Sequence, residues 1–502
     1  MAEIEQAWQR GDYIFVRKGL MQHAEDTGTA LAQFRYGRVL LEGRGGPRDV
    51  DAAITWLQKA ADQNHVEAMT LLARVYLSEG FTDQDAPPEA TRDPDVAVKL
   101  LKRAAPLGGK DAQYYLGQLS LAGSGMAQDP EAAFTWFLAA ARQDHVAAQY
   151  ELSRMYSRGI GTVPNAQEAL HWLTQAAENG HVRAQYFRAR ALETGNGIAQ
   201  NIPQAAEWYR RAAEGGLPIA QRDLGRLYLA GTGVPQNTEE GLRWLQAAAK
   251  AGDSGAMSNL GRAYAIGEGV AQDDTKAAEW YGRAVQFGLG RAMIALAALH
   301  ETGRGVAQDM DQAVALYRKA LETVDGRRAA IRLGQLAAEG ALDGRVAPQT
   351  ATPWALVAAS EGDTAAMGWL ETQAAEGARA AQAGLAEIYL GADSQTEKGA
   401  AFLAQAAQNG DAAAQLRLGQ MHMTGDHVAL DYVAAHKWFN IAATLGRSEA
   451  RELRATAGAL MTPDQLAEAQ AAARQWFASE EPQAPQTRQT IRALPADETR
   501  SE

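Results

Sequence analysis

Small and apolar residues recur along this chain with a period of 36 residues. The phrase "AQYYLG", a small residue followed by polar and then apolar positions, begins at Ala112 and returns at this spacing. Its first alanines are Ala112, Ala148, Ala184, Ala220, Ala256 and Ala292. The phrase also begins at Ala32 and Ala68, and in weaker form at Ala329, Ala381 and Ala414. A fixed period over most of the chain predicts a repeat array.

Each 36-residue unit has the hydrophobic pattern of two helices. In the first helix the anchor alanine, position 1, shares its face with apolar residues at positions 5, 8 and 9, as in Leu224, Leu227 and Tyr228. The second helix opens at an Asn or Asp, whose side chain accepts backbone hydrogen bonds worth about 1 kcal/mol each. That column is Asp49, Asp129, Asn165, Asn201, Asn237, Asp273 and Asp309. A column of large aromatic residues follows: Trp136, Trp172, Trp208, Trp244 and Trp280.

Paired glycines separate the two helices of a unit, as Gly231 and Gly233 do in "GTGVPQNTEEGLRWL". A glycine-rich turn before a helix can bind phosphate, but a dinucleotide loop follows a strand and a Walker loop continues into Lys and Ser or Thr. Here a helix precedes the glycines, no such Lys follows, and the pair recurs six times. The glycines therefore predict structural turns, and we expect no cofactor.

Changes of pattern divide the chain into six segments. They are a capping hairpin (1–31), the main repeat array (32–340), an irregular joint or degenerate repeat (341–380), further repeats (381–446), capping helices (447–478) and a disordered tail (479–502). The joint is predicted where the paired glycines disappear, and the tail where the chain becomes polar and contains proline. An enlarged loop, "EGFTDQDAPPEATRDPD", lengthens the step between Ala68 and Ala112 to 44 residues.

The repeated pattern resembles the Sel1-like repeat, a bacterial-type relative of the tetratricopeptide repeat. The best examples are "AQRDLGRLYLAGTGVPQNTEEGLRWLQAAAKAG" from Ala220 and "AMSNLGRAYAIGEGVAQDDTKAAEWYGRAVQFG" from Ala256. The resemblance implies an all-α fold, a right-handed α-solenoid (superhelix) of about eleven 36-residue helix-turn-helix repeats with terminal capping helices. It also implies a non-enzymatic protein–protein interaction scaffold or adaptor that uses its concave surface. It supplies no catalytic residues.

Composition narrows the classes of function. A net charge of −12 argues against a general nucleic-acid or anionic-membrane binder, and no window approaches 18 apolar residues, so we expect no membrane insertion. The absence of cysteine removes disulfides, thiolate metal sites and cysteine nucleophiles. The acidic N-terminus has no apolar signal region, which predicts a cytoplasmic protein. A periplasmic location is the alternative if a signal was removed.

Candidate chemistry is sparse, and we predict no catalytic residue, cofactor site or metal site. His422, His427 and His436 lie in one repeat, but their spacings of five and nine residues do not form an i, i+4 metal pair on a helix. Other histidines occupy equivalent places before a first helix, where an exposed turn with a polar residue is the simplest interpretation: His65, His145 and His181. No nucleophile motif of the G-x-S-x-G or S-x-x-K type is apparent.

One charged column is a candidate ligand groove. Position 7 of the first helix points away from the buried face. In four consecutive repeats it is an arginine: Arg154, Arg190, Arg226 and Arg262. Arg38 and Arg74 occupy the same place near the start. Guanidinium groups bind carboxylates or phosphates bidentately, which predicts a protein or acidic peptide partner, or another anionic polymer.

Local ion pairing is the alternative interpretation of the column. Glu151 precedes Arg154 by three residues and Asp223 precedes Arg226 by three, and such pairs contribute only about 0.2–0.5 kcal/mol. Three classes of function stay open: the interaction scaffold, a periplasmic envelope or polysaccharide-assembly scaffold, and, less favoured, a hydrolase built on the solenoid.

Overall fold

A computed structural model describes residues 1–78, 92–392 and 394–479 of the 502-residue chain. Within these ranges all regular secondary structure is helical, with 27 α-helices and no strand. The chain divides into two compact units, unit 1 (Met1–Ala251) and unit 2 (Gly252–Glu502). The predicted all-α fold is confirmed. Part of the enlarged loop, residues 79–91, and the predicted tail from residue 480 onward lie outside the described residues.

Unit 1 has an opening hairpin followed by six repeat hairpins. Its helices are α1 (Ala2–Gln9), α2 (Tyr13–Thr27), α3 (Ala30–Glu42), α4 (Val50–Asp62), α5 (Val66–Leu77), α6 (Pro94–Ala104), α7 (Lys110–Ala122), α8 (Pro130–Ala141), α9 (Val146–Arg158), α10 (Ala166–Glu178), α11 (Val182–Thr194), α12 (Ile202–Glu214), α13 (Pro218–Ala230) and α14 (Thr238–Lys250). From α3 to α13, the odd-numbered helices are the first helices of the repeats.

Unit 2 has five repeat hairpins, one unpaired helix and two closing helices. They are α15 (Ser254–Ile266), α16 (Asp274–Gln286), α17 (Gly290–Thr302), α18 (Met310–Ala320), α19 (Gly326–Ala338), α20 (Pro348–Ser360), α21 (Thr364–Ala375), α22 (Arg379–Leu390), α23 (Thr396–Gln408), α24 (Ala412–Thr424), α25 (Tyr432–Thr444), α26 (Glu449–Ala459) and α27 (Pro463–Ser479). The unpaired helix α21 lies within the segment predicted as a joint. With the six repeat hairpins of unit 1, the described residues form eleven repeat hairpins, besides the opening hairpin.

The helix boundaries follow from the cap and turn residues of the repeat. The side chain of Asn237 accepts a hydrogen bond from the Glu240 amide at 3.1 Å and so opens α14. Gly231 ends α13 in the left-handed region, at φ 65°. Gly233, at φ 73°, packs so closely on α12 that a Cβ would lie 2.6 Å from Cγ2 of Ile202. These two glycines turn the chain and allow one repeat to approach the previous one.

Buried glutamines join consecutive hairpins at position 2 of the first helix. In the repeat that begins at α9, Gln149 is 1% exposed and donates from Nε2 to the Ala141 carbonyl at 3.4 Å. Its Oε1 accepts a hydrogen bond from Nδ2 of Asn179 at 3.0 Å. Equivalent glutamines donate to the carbonyl eight residues earlier: Gln113, Gln185, Gln221, Gln382 and Gln415. Each such bond fixes the spacing between two hairpins.

The last hairpins of unit 2 are covered by α27. Trp476 on this helix is 5% exposed and belongs to an apolar cluster with Leu403 and Trp438. Its Nε1 donates to the Gln408 carbonyl at 3.1 Å. The indole of Trp476 therefore attaches α27 to the last hairpins through both apolar packing and a hydrogen bond.

Candidate binding groove

A groove of about 820 Å³ opens in unit 1 along the first helices α3, α5 and α7. Among its described lining residues, five are cations and three are carboxylates. The cations are Arg38, Arg44, Arg48, Arg74 and Lys110, and the carboxylates are Glu42, Glu67 and Asp111. We call this surface the cationic groove. A local excess of positive charge in a chain of net charge −12 marks a surface suited to anions.

Arg74 is the cation of this groove with unused hydrogen-bonding capacity. Its Nε is buried and has no hydrogen-bond partner among the residues that the structure describes. Its Cζ lies 5.9 Å from the ring centroid of Tyr115, so the guanidinium stacks over an aromatic face on the next first helix. A buried donor left without an acceptor costs about 1–3 kcal/mol, so the position of this guanidinium is set by packing on Tyr115 rather than by a hydrogen bond from Nε.

Arg38 and Arg44 are held in place by one carboxylate between them. Glu42 accepts from Nε of Arg38 at 2.6 Å and from Nε of Arg44 at 2.6 Å, through different oxygens. The Arg44 guanidinium also lies over Trp8, 5.0 Å from the ring centroid, and over Tyr13 at 5.3 Å. The two guanidinium groups are therefore ordered before any ligand arrives, which lowers the entropic cost of binding.

A second cavity of about 450 Å³ adjoins the cationic groove. The two share Phe34, Arg38 and Glu67 as lining residues. Five of its other lining residues are apolar and come from α1, α2 and α3: Ile4, Trp8, Leu20, Leu31 and Val39. Glu5, Arg35 and His65 complete the lining at its polar edge. We call this cavity the apolar compartment. The opening hairpin thus forms one wall of a cavity that adjoins the cationic groove.

The four arginines predicted from the sequence lie on four consecutive first helices. They are Arg154 on α9, Arg190 on α11 and Arg226 on α13 of unit 1, and Arg262 on α15 of unit 2. Arg154 pairs with Glu151 three residues earlier, at 2.9 Å, as the local interpretation expects. Arg262 pairs with Glu268 at 2.7 Å. Arg190 is half-buried and also interacts within the fold.

The predicted pairing of Arg226 with Asp223 is wrong. Arg226 instead donates a hydrogen bond to Glu193 on α11, one repeat earlier. Asp223 pairs with its neighbour Arg222 at 2.9 Å. Arg226 pairs with the preceding repeat rather than with Asp223 because Glu193, at position 10 of α11, faces the next first helix, α13.

Glu193 also accepts a hydrogen bond from the hydroxyl of Tyr209 on α12, at 2.6 Å. Burial, followed by this bond, raises the pKa of the Tyr209 hydroxyl, which stays protonated as a donor. In unit 2, Glu301 in the same way accepts from Tyr317 at 2.9 Å and from Arg332 at 2.5 Å. The sequence analysis did not predict these contacts between repeats, although both depend on a glutamate at position 10 of a first helix.

The expectation that the equivalent histidines occupy an exposed turn is also wrong, because they are half-buried helix caps. Nδ1 of His145 accepts from the Ala148 amide at 3.2 Å, and its ring stacks on Tyr114 of the previous repeat at 4.4 Å. His181 and His65 form the same cap, and stack on Tyr150 and Phe34. Burial lowers the pKa of His145 and of His181, favouring the neutral ring that the cap requires.

The three histidines of the later repeat do not form a site together. His436 is 5% exposed, and burial followed by the charge of Arg454 lowers its pKa. His422 instead contacts the Ala429 carbonyl at 3.2 Å, and His427 lies beside Asp426. Among the described residues, no three His, Asp or Glu side chains group as metal ligands would. Nor does any helix in the described ranges have the length and apolar character needed to cross a bilayer.

A family model described as "Sel1 repeat" matches ten segments of this chain. They are residues 30–65, 66–108, 110–145, 146–181, 182–217, 218–253, 254–286, 290–322, 379–411 and 412–446. The matches cover well over half of the chain, and each begins with a first helix or within a few residues of it.

Proteins similar to this chain include a curated bacterial protein and a protein of known structure. An exopolysaccharide production negative regulator from Rhizobium meliloti (strain 1021) is 38% identical over 73 residues, which are 14% of this chain and only 27% of that relative. The crystal structure of c5321, a protective antigen present in uropathogenic Escherichia coli strains and displaying an SLR fold, is 27% identical. That structure aligns over 94% of this chain and 99% of its own, with a TM-score of 0.60. The predicted α-solenoid architecture is thereby confirmed.

Proposed function

Because the chain belongs to the Sel1 repeat family, we propose that it is a non-enzymatic scaffold that binds an acidic segment of a partner protein in the cationic groove. The observation that carries this proposal is the set of five cations that line the groove on α3, α5, α7 and the segment between α3 and α4. Arg38 and Arg44 among them are held in place by Glu42. An anion is the group that complements this excess of positive charge.

The geometry suits an extended acidic segment better than a single small anion. The cations are spread over three consecutive repeats, so one carboxylate can contact only some of them. Hydrogen bonds to charged groups contribute about 1.5–3 kcal/mol each, whereas exposed ion pairs contribute about 0.2–1 kcal/mol.

Arg154, Arg190 and Arg226 of the predicted column stay in the proposal as a secondary contact region of unit 1. Arg262 stays in it as a separate contact of unit 2. Arg154 and Arg262 are engaged in surface ion pairs, which a ligand carboxylate can replace at low cost. Arg226 is a weaker candidate, because it links two repeats through Glu193.

Fluorescence anisotropy with labelled peptides tests the function. A glutamate-rich peptide should bind the protein, and its glutamine analogue should not. The double variant Arg38→Gln/Arg74→Gln should weaken binding at least tenfold. Arg211→Gln is the matched control, since Arg211 also stacks on an aromatic ring, Trp208 at 4.5 Å, but on a second helix. Equal binding of the two peptides, or no effect of the double variant, would refute the proposal.

A second candidate function is a scaffold in polysaccharide production or envelope assembly. The similarity to the exopolysaccharide production regulator supports it over 73 residues. Cell fractionation tests this candidate, because it predicts that the protein is recovered in the periplasm with envelope components. Recovery in the cytoplasm with a soluble protein partner would favour the first proposal.

A further inference from the structure

We infer that the occupant of the cationic groove is an acidic partner segment that carries one large apolar residue, seated in the apolar compartment. This inference rests on the proposed function and specifies its ligand. It follows from the adjacency of the two cavities, which share Phe34, Arg38 and Glu67 as lining residues.

The apolar compartment has exposed surface that the fold itself leaves uncovered. Leu31, on the first turn of α3, is 49% exposed although it lines this cavity. Trp8 and Ile4 of α1 face the same space and are only partly buried. An apolar side chain entering here removes this area from water, which is favourable in rough proportion to the area covered.

Phe34 lies at the boundary between the two parts. Its ring lines both cavities and stacks on His65 at 4.8 Å, so its position is held from the side of α5. Beyond it, Arg38 lines both cavities, while Arg74 and Lys110 line only the cationic groove. An apolar residue and the nearest carboxylate of the ligand must therefore be close in its sequence, on opposite sides of Phe34.

Charge decides which occupant fits. Arg44 connects the two parts, because it pairs with Glu42 and stacks on Trp8. A purely apolar ligand would leave these cations without a new partner, whereas an acidic ligand without an apolar residue would leave Leu31 and Trp8 uncovered. A segment with both features satisfies both parts. The opening hairpin, expected only to cap the array, then also contributes to ligand recognition.

Three labelled peptides test the inference on the unaltered full-length protein. The first is acidic with one leucine at either end of the acidic run, the second has glycine in place of that leucine, and the third keeps the leucine but replaces Glu with Gln. We expect the first to bind at least tenfold more tightly than the second, and the third to bind weakly. If the first two bind equally, the apolar site is wrong while the acidic groove stands. If neither binds, the proposed function itself fails.

The variant Leu31→Asn locates the apolar site. It should reduce the advantage of the leucine peptide to less than twofold and leave binding of the glycine peptide unchanged. Val163→Asn is the matched control, since Val163 is 80% exposed in unit 1 and lines neither cavity. An undiminished advantage in Leu31→Asn would overturn the inference.

Two other occupants of the groove are tested by competition and by sedimentation. A synthetic peptide of residues 480–502 is added as a competitor, and displacement of the acidic leucine peptide at similar concentration would assign the groove to this chain's own tail. Sedimentation of the wild type and of Leu31→Asn identifies a second copy as occupant, if self-association is present and is lost in the variant. Either result would overturn the assignment to a partner protein.

Discussion

The guanidinium of Arg226 donates a hydrogen bond to the carboxylate of Glu193, which lies 33 residues earlier in the neighbouring repeat. A residue of the predicted arginine column thus holds two repeats together. Charge reversal at Arg226 would place two carboxylates against each other and disturb the array itself. Arg38 and Arg74 are therefore the better positions at which to test ligand binding.

The coupling free energy between Arg226 and Glu193 can be measured by a double-mutant cycle. Arg226→Gln, Glu193→Gln and the double variant should show a coupling free energy of about 0.5–1 kcal/mol, because the pair is only partly buried. Urea unfolding monitored by circular dichroism gives the change in free energy of unfolding of each of the three variants relative to the wild type. Strictly additive effects would mean that the bridge does not stabilise the repeat interface.

Protonation of the capping histidines should destabilise unit 1 in mild acid. Burial lowers the pKa of both His145 and His181 in the folded protein. For His145, the charge of Asp111 partly opposes this shift and that of Lys110 adds to it. For His181, the charge of Arg183 adds to it. The unfolded chain therefore takes up protons first, near the ordinary histidine value of about 6.5. The stabilisation is present above that pH and is lost as the pH falls through the folded values.

Thermal unfolding at pH 7.5 and 5.5 checks this effect. The variant His145→Asn/His181→Asn keeps a capping oxygen that does not titrate, so its midpoint should fall less between the two pH values than that of the wild type. A wild-type midpoint that drops no more than that of the variant would show that other groups control the acid response.

Gln149→Ala should lower the free energy of unfolding by about 1–3 kcal/mol. The change removes the acceptor of the Asn179 amide and the donor to the Ala141 carbonyl in a buried place. Gln167→Ala, at an exposed position of α10, is the control and should change stability by less than about 0.5 kcal/mol. Equal effects of the two changes would contradict a role for the buried glutamine column.

Trp476→Ala should destabilise unit 2 by about 3–5 kcal/mol, since the indole is buried and bonded to the Gln408 carbonyl. The neighbouring Phe477 is 38% exposed, and Phe477→Ala should have a much smaller effect. Denaturant unfolding followed by tryptophan fluorescence measures both. A small loss in Trp476→Ala would mean that α27 does not stabilise the last hairpins.

The helices and their boundaries follow from local sequence signals. The anchor alanines, the capping column represented by Asn237 and the glycine at Gly231 each act within one hairpin, through backbone hydrogen bonds and steric limits that neighbouring residues determine. Because the same signals return every 36 residues, the sequence alone was sufficient to predict an α-solenoid.

The role of each arginine depended on the tertiary structure. Arg74 and Arg226 occupy the same position in the repeat, yet one lies in an open groove with an unsatisfied Nε and the other bridges to Glu193. Their partners come from other repeats, more than thirty residues away, so nothing local distinguishes them. The sequence determined the scaffold because its signals are local, and the tertiary structure decided the binding surface because ion pairs and cavities form between repeats.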